Sequence, residues 1–448
     1  MRNLTEGNPL KNIVIMSIPI MLGSLFQQLY NTVDAIIVGR ILGAKALAAV
    51  GSTSTLYYLI IWTVNGMANG FAVLVAQFFG AKDFVNVRKS IATAIKLCTG
   101  ITLIATVISV TFIRAALLFM NTPGEIIDDA YAYIVVILCG LIATILYNMF
   151  SAILRAIGDS RTPFLFLVLT SILNVILDYI FIKYMYLGTG GAALATIISQ
   201  SVSAILCAVY AYAKYDFVRI KVQDFAKNTV LVVKMIKIGI PLGAMGALTA
   251  SSVITLQFAV NSYGAETIAA YTASTKLEQF ANVPLSAYGV AIINFSGQNV
   301  GAQKYDNLYK GINKCMILTV CTAVVTGTVL FIFAKNGAGL FMDANEGAAS
   351  IRLATQYLRC VAPALSFFGL MVLIRSAMQG MGDARAPLIN AIVETVSRAV
   401  WTVYLIHNHN FTMLCFVNPL TWLAATSVIM ILYLRKLKDY RQKALSIN

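Results

Sequence analysis

Long apolar runs recur along the whole chain, broken by short stretches rich in Lys, Arg, Asp, Gly and Pro. A bilayer core takes roughly 20 apolar residues per helix. At that length the pattern predicts twelve helical spans. They lie near 13–39, 53–79, 90–117, 130–155, 163–185, 190–213, 231–260, 275–299, 312–335, 352–379, 387–407 and 411–434. The first run exceeds the apolar region of a cleaved signal peptide and reads as a retained span. An even number of spans puts both termini on one side.

Composition sharpens this. The 448 residues are 59% hydrophobic and only 11% charged, with a mean hydropathy of +0.80. Soluble chains are about 25% charged. A soluble enzyme and an extended disordered chain are excluded, and twelve spans leave no room for a large soluble domain. The fold class is therefore an all-α membrane protein. A net charge of +15 would suggest nucleic acid in a soluble protein. Here the basic residues crowd into loops, as the positive-inside rule requires, so no nucleic acid is implied. The two tails and the connections 2–3, 4–5, 6–7, 8–9 and 10–11 carry most of the 33 Lys and Arg. Both termini are expected in the cytoplasm, the lipid bilayer being the one obligatory partner. Seven cysteines lie in apolar stretches without a C-x-x-C pair, which gives neither a disulfide framework nor a zinc site. His407 and His409 read as a polar connection rather than a metal site. No cofactor is implied.

The two halves repeat. Ile18-Pro19 matches Ile240-Pro241, and GAKALAAV at 43–50 matches GAETIAAY at 264–271. Gln77-x-x-Gly80-Ala81 matches Gln298-x-x-Gly301-Ala302, and the loop Gly158-Asp159-x-Arg161-x-Pro163 matches Gly382-Asp383-x-Arg385-x-Pro387. The offsets lie between 221 and 224 residues. Six spans per unit make this a parallel repeat about an axis along the membrane normal, an arrangement suited to alternating access. The predicted organisation is a six-helix lobe over 1–213, a cytoplasmic linker over 214–230 and a second six-helix lobe over 231–448. Pro19 and Pro241 lie inside spans, where each removes a backbone hydrogen bond and favours a kink. Asp159 and Asp383 are placed to cap the helices that follow.

Ionisable groups inside spans cost several kcal/mol in lipid and mark functional sites by default. Asp34, Asp178 and Glu394 qualify. Gln27, Tyr30 and Asp34 share one helix face by their spacing of 3 and 4. Asn174 and Asp178 share a face in span 5, Thr196 and Gln200 in span 6, and Thr144, Tyr147 and Ser151 in span 4. With a rise of 1.5 Å per residue, Asp178 lies roughly 22 Å and Asn174 roughly 16 Å above the inner end of span 5. Thr196 lies roughly 21 Å up, so these groups can converge with Asp34 in the outer half. Two carboxylates, an amide oxygen and a hydroxyl suit a hard cation. Two close carboxylates can also share one proton. Glu394 is one turn from Arg398, as an ion pair or as part of a substrate path. Lys276 and Glu278 open span 8, either at a cavity mouth or as an interfacial pair.

These features together resemble the multidrug and toxic compound extrusion (MATE) family over essentially the whole chain. The resemblance rests on Pro19…Asp34…Gly39, LGAKALAAVG, the repeated Gln-x-x-Gly-Ala and Asn174-x-x-x-Asp178. It implies two six-helix lobes arranged as a V in a bacterial cytoplasmic membrane. It further implies antiport of amphipathic, often cationic organic compounds or drugs against Na+ or H+, with no protein partner. The family's cation site maps onto Asp34, Asn174, Asp178 and Thr196. A substrate cavity would draw on Gln27, Tyr30, Thr144, Tyr147, Ser151, Gln200, Lys276, Glu278, Glu394 and Arg398. Some branches carry a coupling acid in spans 7 and 10, and this chain has none there. The positions matching Asp34, Asn174 and Asp178 are Leu256, Arg398 and Thr402, so the site is not duplicated. Two other classes compete. A flippase for a lipid-linked precursor would want a basic cavity, for which only Arg375 and Arg398 offer support. A membrane enzyme would want a nucleophile or metal constellation at an interface, which is missing.

Overall fold

The computed structural model describes residues 2–120, 122–226, 228–341, 347–408 and 411–445. Among these there is no β-strand. The helices are α1 (Pro9–Ile41), α2 (Ala44–Gly80), α3 (Phe84–Phe119), α4 (Ile127–Cys139), α5 (Leu141–Ala156), α6 (Arg161–Tyr179) and α7 (Gly188–Lys214). They continue with α8 (Thr229–Asn261), α9 (Ala265–Gly301), α10 (Tyr305–Ile332), the short α11 (Ala334–Gly339), α12 (Ala348–Val361), α13 (Leu365–Gly380), α14 (Arg385–Asn408) and α15 (Phe411–Leu445).

Twelve membrane-length segments result among the described residues. Nine are long and apolar enough to cross a bilayer by composition alone, α12 and α13 counting as one. A tenth is α4 with α5, bent by 47°. The remaining two are α9 and α14, which carry Lys276 with Glu278 and Glu394 with Arg398. Wide apolar strips, such as Leu103, Ile104, Val107 and Ile108 on α3, stay exposed. A membrane protein turns such faces to lipid.

The helices outrun the predicted spans at most ends, because the helix continues into the interfacial layer where polar residues are no obstacle. The break in span 4 falls at Gly140. A Cβ there would lie 2.4 Å from Ile197 of α7, so the missing side chain lets α7 press against the bend. The break in span 10 is a short 3-10 turn over Ala362–Ala364, with a proline in its first positions. Helices α1 and α8 run through Pro19 and Pro241.

The repeat reappears in the backbone. Gly43 and Gly264 precede α2 and α9 with the same φ of +91°, a conformation that favours glycine. Helices α2 and α9 end in the same reverse turn. The amide of Asp83 donates to the carbonyl of Phe78, and that of Lys304 to Asn299. Gly158 and Gly382 close α5 and α13 in the same way, both at positive φ. Asp159 then caps α6, accepting from the Thr162 amide at 3.1 Å and its hydroxyl at 2.7 Å. Asp383 caps α14, accepting from the Arg385 and Ala386 amides. The capping role read from the sequence is what these carboxylates do.

By packing the chain divides into two units. The first holds residues 1–3 and 22–246, the second residues 4–21 and 247–448. Inside the first, Ile134 and Leu138 of α4 pack with Ala49 and Leu117, and Val38, Ala46, Ile182 and Ala192 form a second cluster. Inside the second, Tyr357, Leu365 and Trp422 anchor one core, and Phe295, Ile312 and Tyr433 another.

Candidate functional site

Asp34 stands on α1, Asn174 and Asp178 one turn apart on α6, and Thr196 on α7. All four belong to the first unit. Asn174 and Asp178 are 2% and 1% exposed, so their polar ends face protein and not lipid. A turn of π-helix follows Asp178 at Ile180–Tyr184. Such bulges reset side-chain register and recur at functional sites.

The four residues meet. With its amide oriented to satisfy both ends, Asn174 donates to Asp34 Oδ1 at 3.1 Å and accepts from the Thr196 backbone N–H at 3.3 Å. The Asp34 and Asp178 carboxyls lie within hydrogen-bonding reach of each other. Neither oxygen of Asp178 meets a protein donor. Two carboxyls so placed repel unless a positive charge or a proton lies between them. Among the described residues, no ion pair involves either aspartate.

A small open cleft lies beside Asn174. Tyr30, Thr170, Asn174, Thr196, Ser199 and Gln200 are among its lining residues. Gln27, on the same helix as Tyr30, is exposed. Thr144, Tyr147 and Ser151 are buried on α5 within the same unit. Tyr133 of α4 stands in the electrostatic neighbourhood of both aspartates, and Tyr57 of α2 in that of Tyr30 and Tyr133. The sequence did not single out either tyrosine.

The second unit holds a different cluster. Glu394 and Arg398 pair at 3.2 Å with both side chains 5% exposed, and Arg375 reaches the other Glu394 oxygen at 3.4 Å. Arg398 also donates to Ser252. Glu278 is buried and accepts from Tyr357 at 3.1 Å, and Tyr357 in turn accepts from Asn418 at 2.9 Å. Lys276 is exposed and does not join this network. The side chains of His407 and His409 lie outside the described residues. Among the described residues, no group of three or more His, Cys, Asp or Glu is placed to hold a metal ion.

The family model described as MatE matches this chain twice, over residues 19–180 and 241–404. The chain belongs to the MatE family. The double match carries the offset of the internal repeat. MatE proteins are transporters, not enzymes, and need no cofactor. The chain is 28% identical over 382 residues to the probable multidrug resistance protein YpnP of Bacillus subtilis, covering 85% of this chain and 84% of that protein. It is 24% identical over 393 residues to the multidrug export protein MepA of Staphylococcus saprophyticus, covering 87% and 86%. Among solved structures, a MATE protein crystallised with MaL6 superposes with a TM-score of 0.91 at 24% identity, covering 98% of this chain and 99% of that one. An outward-facing multidrug resistance MATE transporter superposes equally well, with a TM-score of 0.91, 24% identity and 98% of each chain covered. The all-α membrane fold of the MatE chain is that of these structures. It is an integral membrane protein.

Proposed function

We propose that this protein is a secondary antiporter of the cytoplasmic membrane, with both termini in the cytoplasm. It exports amphipathic, often cationic organic compounds in exchange for Na+ or H+. Asp34, Asn174, Asp178 and Thr196 form the coupling site. One observation carries this reading: the buried Asp178 and the half-buried Asp34 face each other in one unit, with no basic partner among the described residues. The arrangement is costly without a cation and is balanced by one. The names of the curated relatives, multidrug resistance and multidrug export proteins, supply the substrate class.

In this cycle a cation from outside binds between Asp34 and Asp178 and favours the state that releases substrate outward. Substrate entering from the inside favours the state that gives up the cation. A ligand shifts such an equilibrium only through unequal affinity for the two states. Gln27 and Tyr30, on α1 with Asp34, are the residues best placed for substrate to sense the cation. The doubly paired Glu394 has its charge satisfied and holds the second unit together.

The flippase reading gains no support. Its basic cavity would need Arg375 and Arg398 free, and both engage Glu394. Ethidium accumulation in cells expressing the protein tests the antiporter. The wild type lowers accumulation, and Asp34→Asn and Asp178→Asn restore it at equal protein level. Undiminished export by Asp34→Asn sinks the coupling site.

A further inference from the structure

The polar residues of the first unit do not stop at the aspartates. On α7, Thr196, Ser199, Gln200, Ser203 and Cys207 follow one another at steps that keep them on one side. On α5, Tyr147, Ser151 and Arg155 do the same, and on α6 the face of Asp178 and Asn174 continues to Thr170. Helix α7 packs against both α5 and α6, so the three stripes run in contact down the unit.

The stripes are linked and buried. The Thr170 and Ser203 hydroxyls are 2.5 Å apart. Ser203 and Ser151 are each 1% exposed, Ser199 5% and Cys207 0%. Along this line Asp178, Gln200 and Ser199 each carry a buried oxygen with no protein partner, and the Ser151 hydroxyl lies within reach of Tyr147 and Cys207. Burying a hydroxyl or amide unpaired costs about 1–3 kcal/mol, and a charged group more, so three such groups on one line are not incidental packing. Oxygens of this kind are satisfied by water where the site is polar. At the far end, Arg155 lies in the electrostatic neighbourhood of Tyr147 and Cys207. One turn on, Asp159 is engaged by Thr162 and Tyr215. Among the described residues, no carboxylate pairs with Arg155.

We infer that this file is a proton path. It leads from the Asp34–Asp178 pair to the tail side of the membrane inside the first unit alone, with Arg155 as its electrostatic plug. The inference rests on the antiport reading and commits it to H+. A proton leaves the aspartate pair for a water. It then passes along hydroxyls and waters, each oxygen taking one proton and giving up another. Na+ would need several oxygen ligands at every step and would end against a guanidinium. Arg155 keeps the path shut to cations except when the coupling site discharges.

The test uses the full chain in proteoliposomes with pyranine and ethidium in the lumen, under an inward proton gradient. Thr170→Val, Ser203→Ala and Ser151→Ala are each expected to slow proton entry and ethidium exit about tenfold or more, the scale of losing a proton-transfer group. Ser201→Ala, whose hydroxyl bonds to the carbonyl of Ile197, keeps the wild-type rate. Arg155→Met is expected to admit protons without ethidium, a gain that a misfolded chain does not imitate. Wild-type proton entry in all three hydroxyl variants overturns the path, and a proton-tight Arg155→Met overturns the plug. Efflux driven by Na+ and not by H+ sinks the proton path and leaves the antiporter standing. If neither gradient drives the wild type, the antiport reading itself fails.

Discussion

At the scale of residues, the same chemistry is put to opposite uses in the two units. Glu394 is bracketed by two arginines, whereas Asp34 and Asp178 face each other beside Asn174 and Thr196. Removing one partner from a buried pair costs about 3–5 kcal/mol, because the charge left behind has no solvent. Arg398→Met leaves Glu394 with Arg375 alone and should lower the thermal midpoint. Replacing Arg375, Glu394 and Arg398 together with apolar residues of similar volume should recover most of it. Equal losses in the single and triple variants would show that Glu394 does not depend on these arginines. Asp178→Asn should move the other way. It removes a like charge from beside Asp34 and should leave stability unchanged or raise it by about 1 kcal/mol. A marked loss of stability would show the pair to be structural.

Elements are set by a few positions where a side chain must be absent or must cap. Helix α2 meets the first part of α8 through glycine faces. A Cβ on Gly66 would lie 2.3 Å from the carbonyl oxygen of Leu242, and one on Gly246 as close to that of Trp62. Gly66→Ala should cost about 1–3 kcal/mol by overpacking, read as a lower midpoint in detergent. No change would mean that the helices part easily. The start of α6 depends on Asp159, which serves Thr162 and Tyr215 at once. Asp159→Ala should cost about 1–2 kcal/mol from the lost cap, while Asp159→Asn keeps part of it.

The caps were legible in the sequence because G-D-x-R-x-P occurs twice, with each chemical role fixed by spacing. The bend at Gly140 was not legible. There Gly140 makes room for the side chain of Ile197, more than fifty residues away, and no local pattern encodes that approach. Helix ends were also read short, since hydropathy marks the hydrocarbon layer and helices extend past it. The aspartate cluster was legible because a carboxylate in an apolar run is conspicuous and helical spacing assigns its neighbours. Tyr57 and Tyr133 were not, because tyrosine is at home in a membrane helix for several reasons.

Across the whole molecule, duplication and asymmetry together make the account. Matched turns at Gly43 and Gly264, and at Gly158 and Gly382, show one plan used twice, as does the double family match. The unbalanced acidic pair lies in the first unit, and the second-unit positions matching Asp34, Asn174 and Asp178 hold Leu256, Arg398 and Thr402. In the antiport proposed above, an ion then has one unit to act on, and transport in exchange for it has one place to be lost. The direct measurement is ethidium efflux from right-side-out proteoliposomes under separately imposed Na+ and H+ gradients, comparing wild type with Asp34→Asn. The account predicts that one gradient drives efflux by the wild type and neither drives it in the variant. Gradient-driven efflux by Asp34→Asn at the wild-type rate would contradict it.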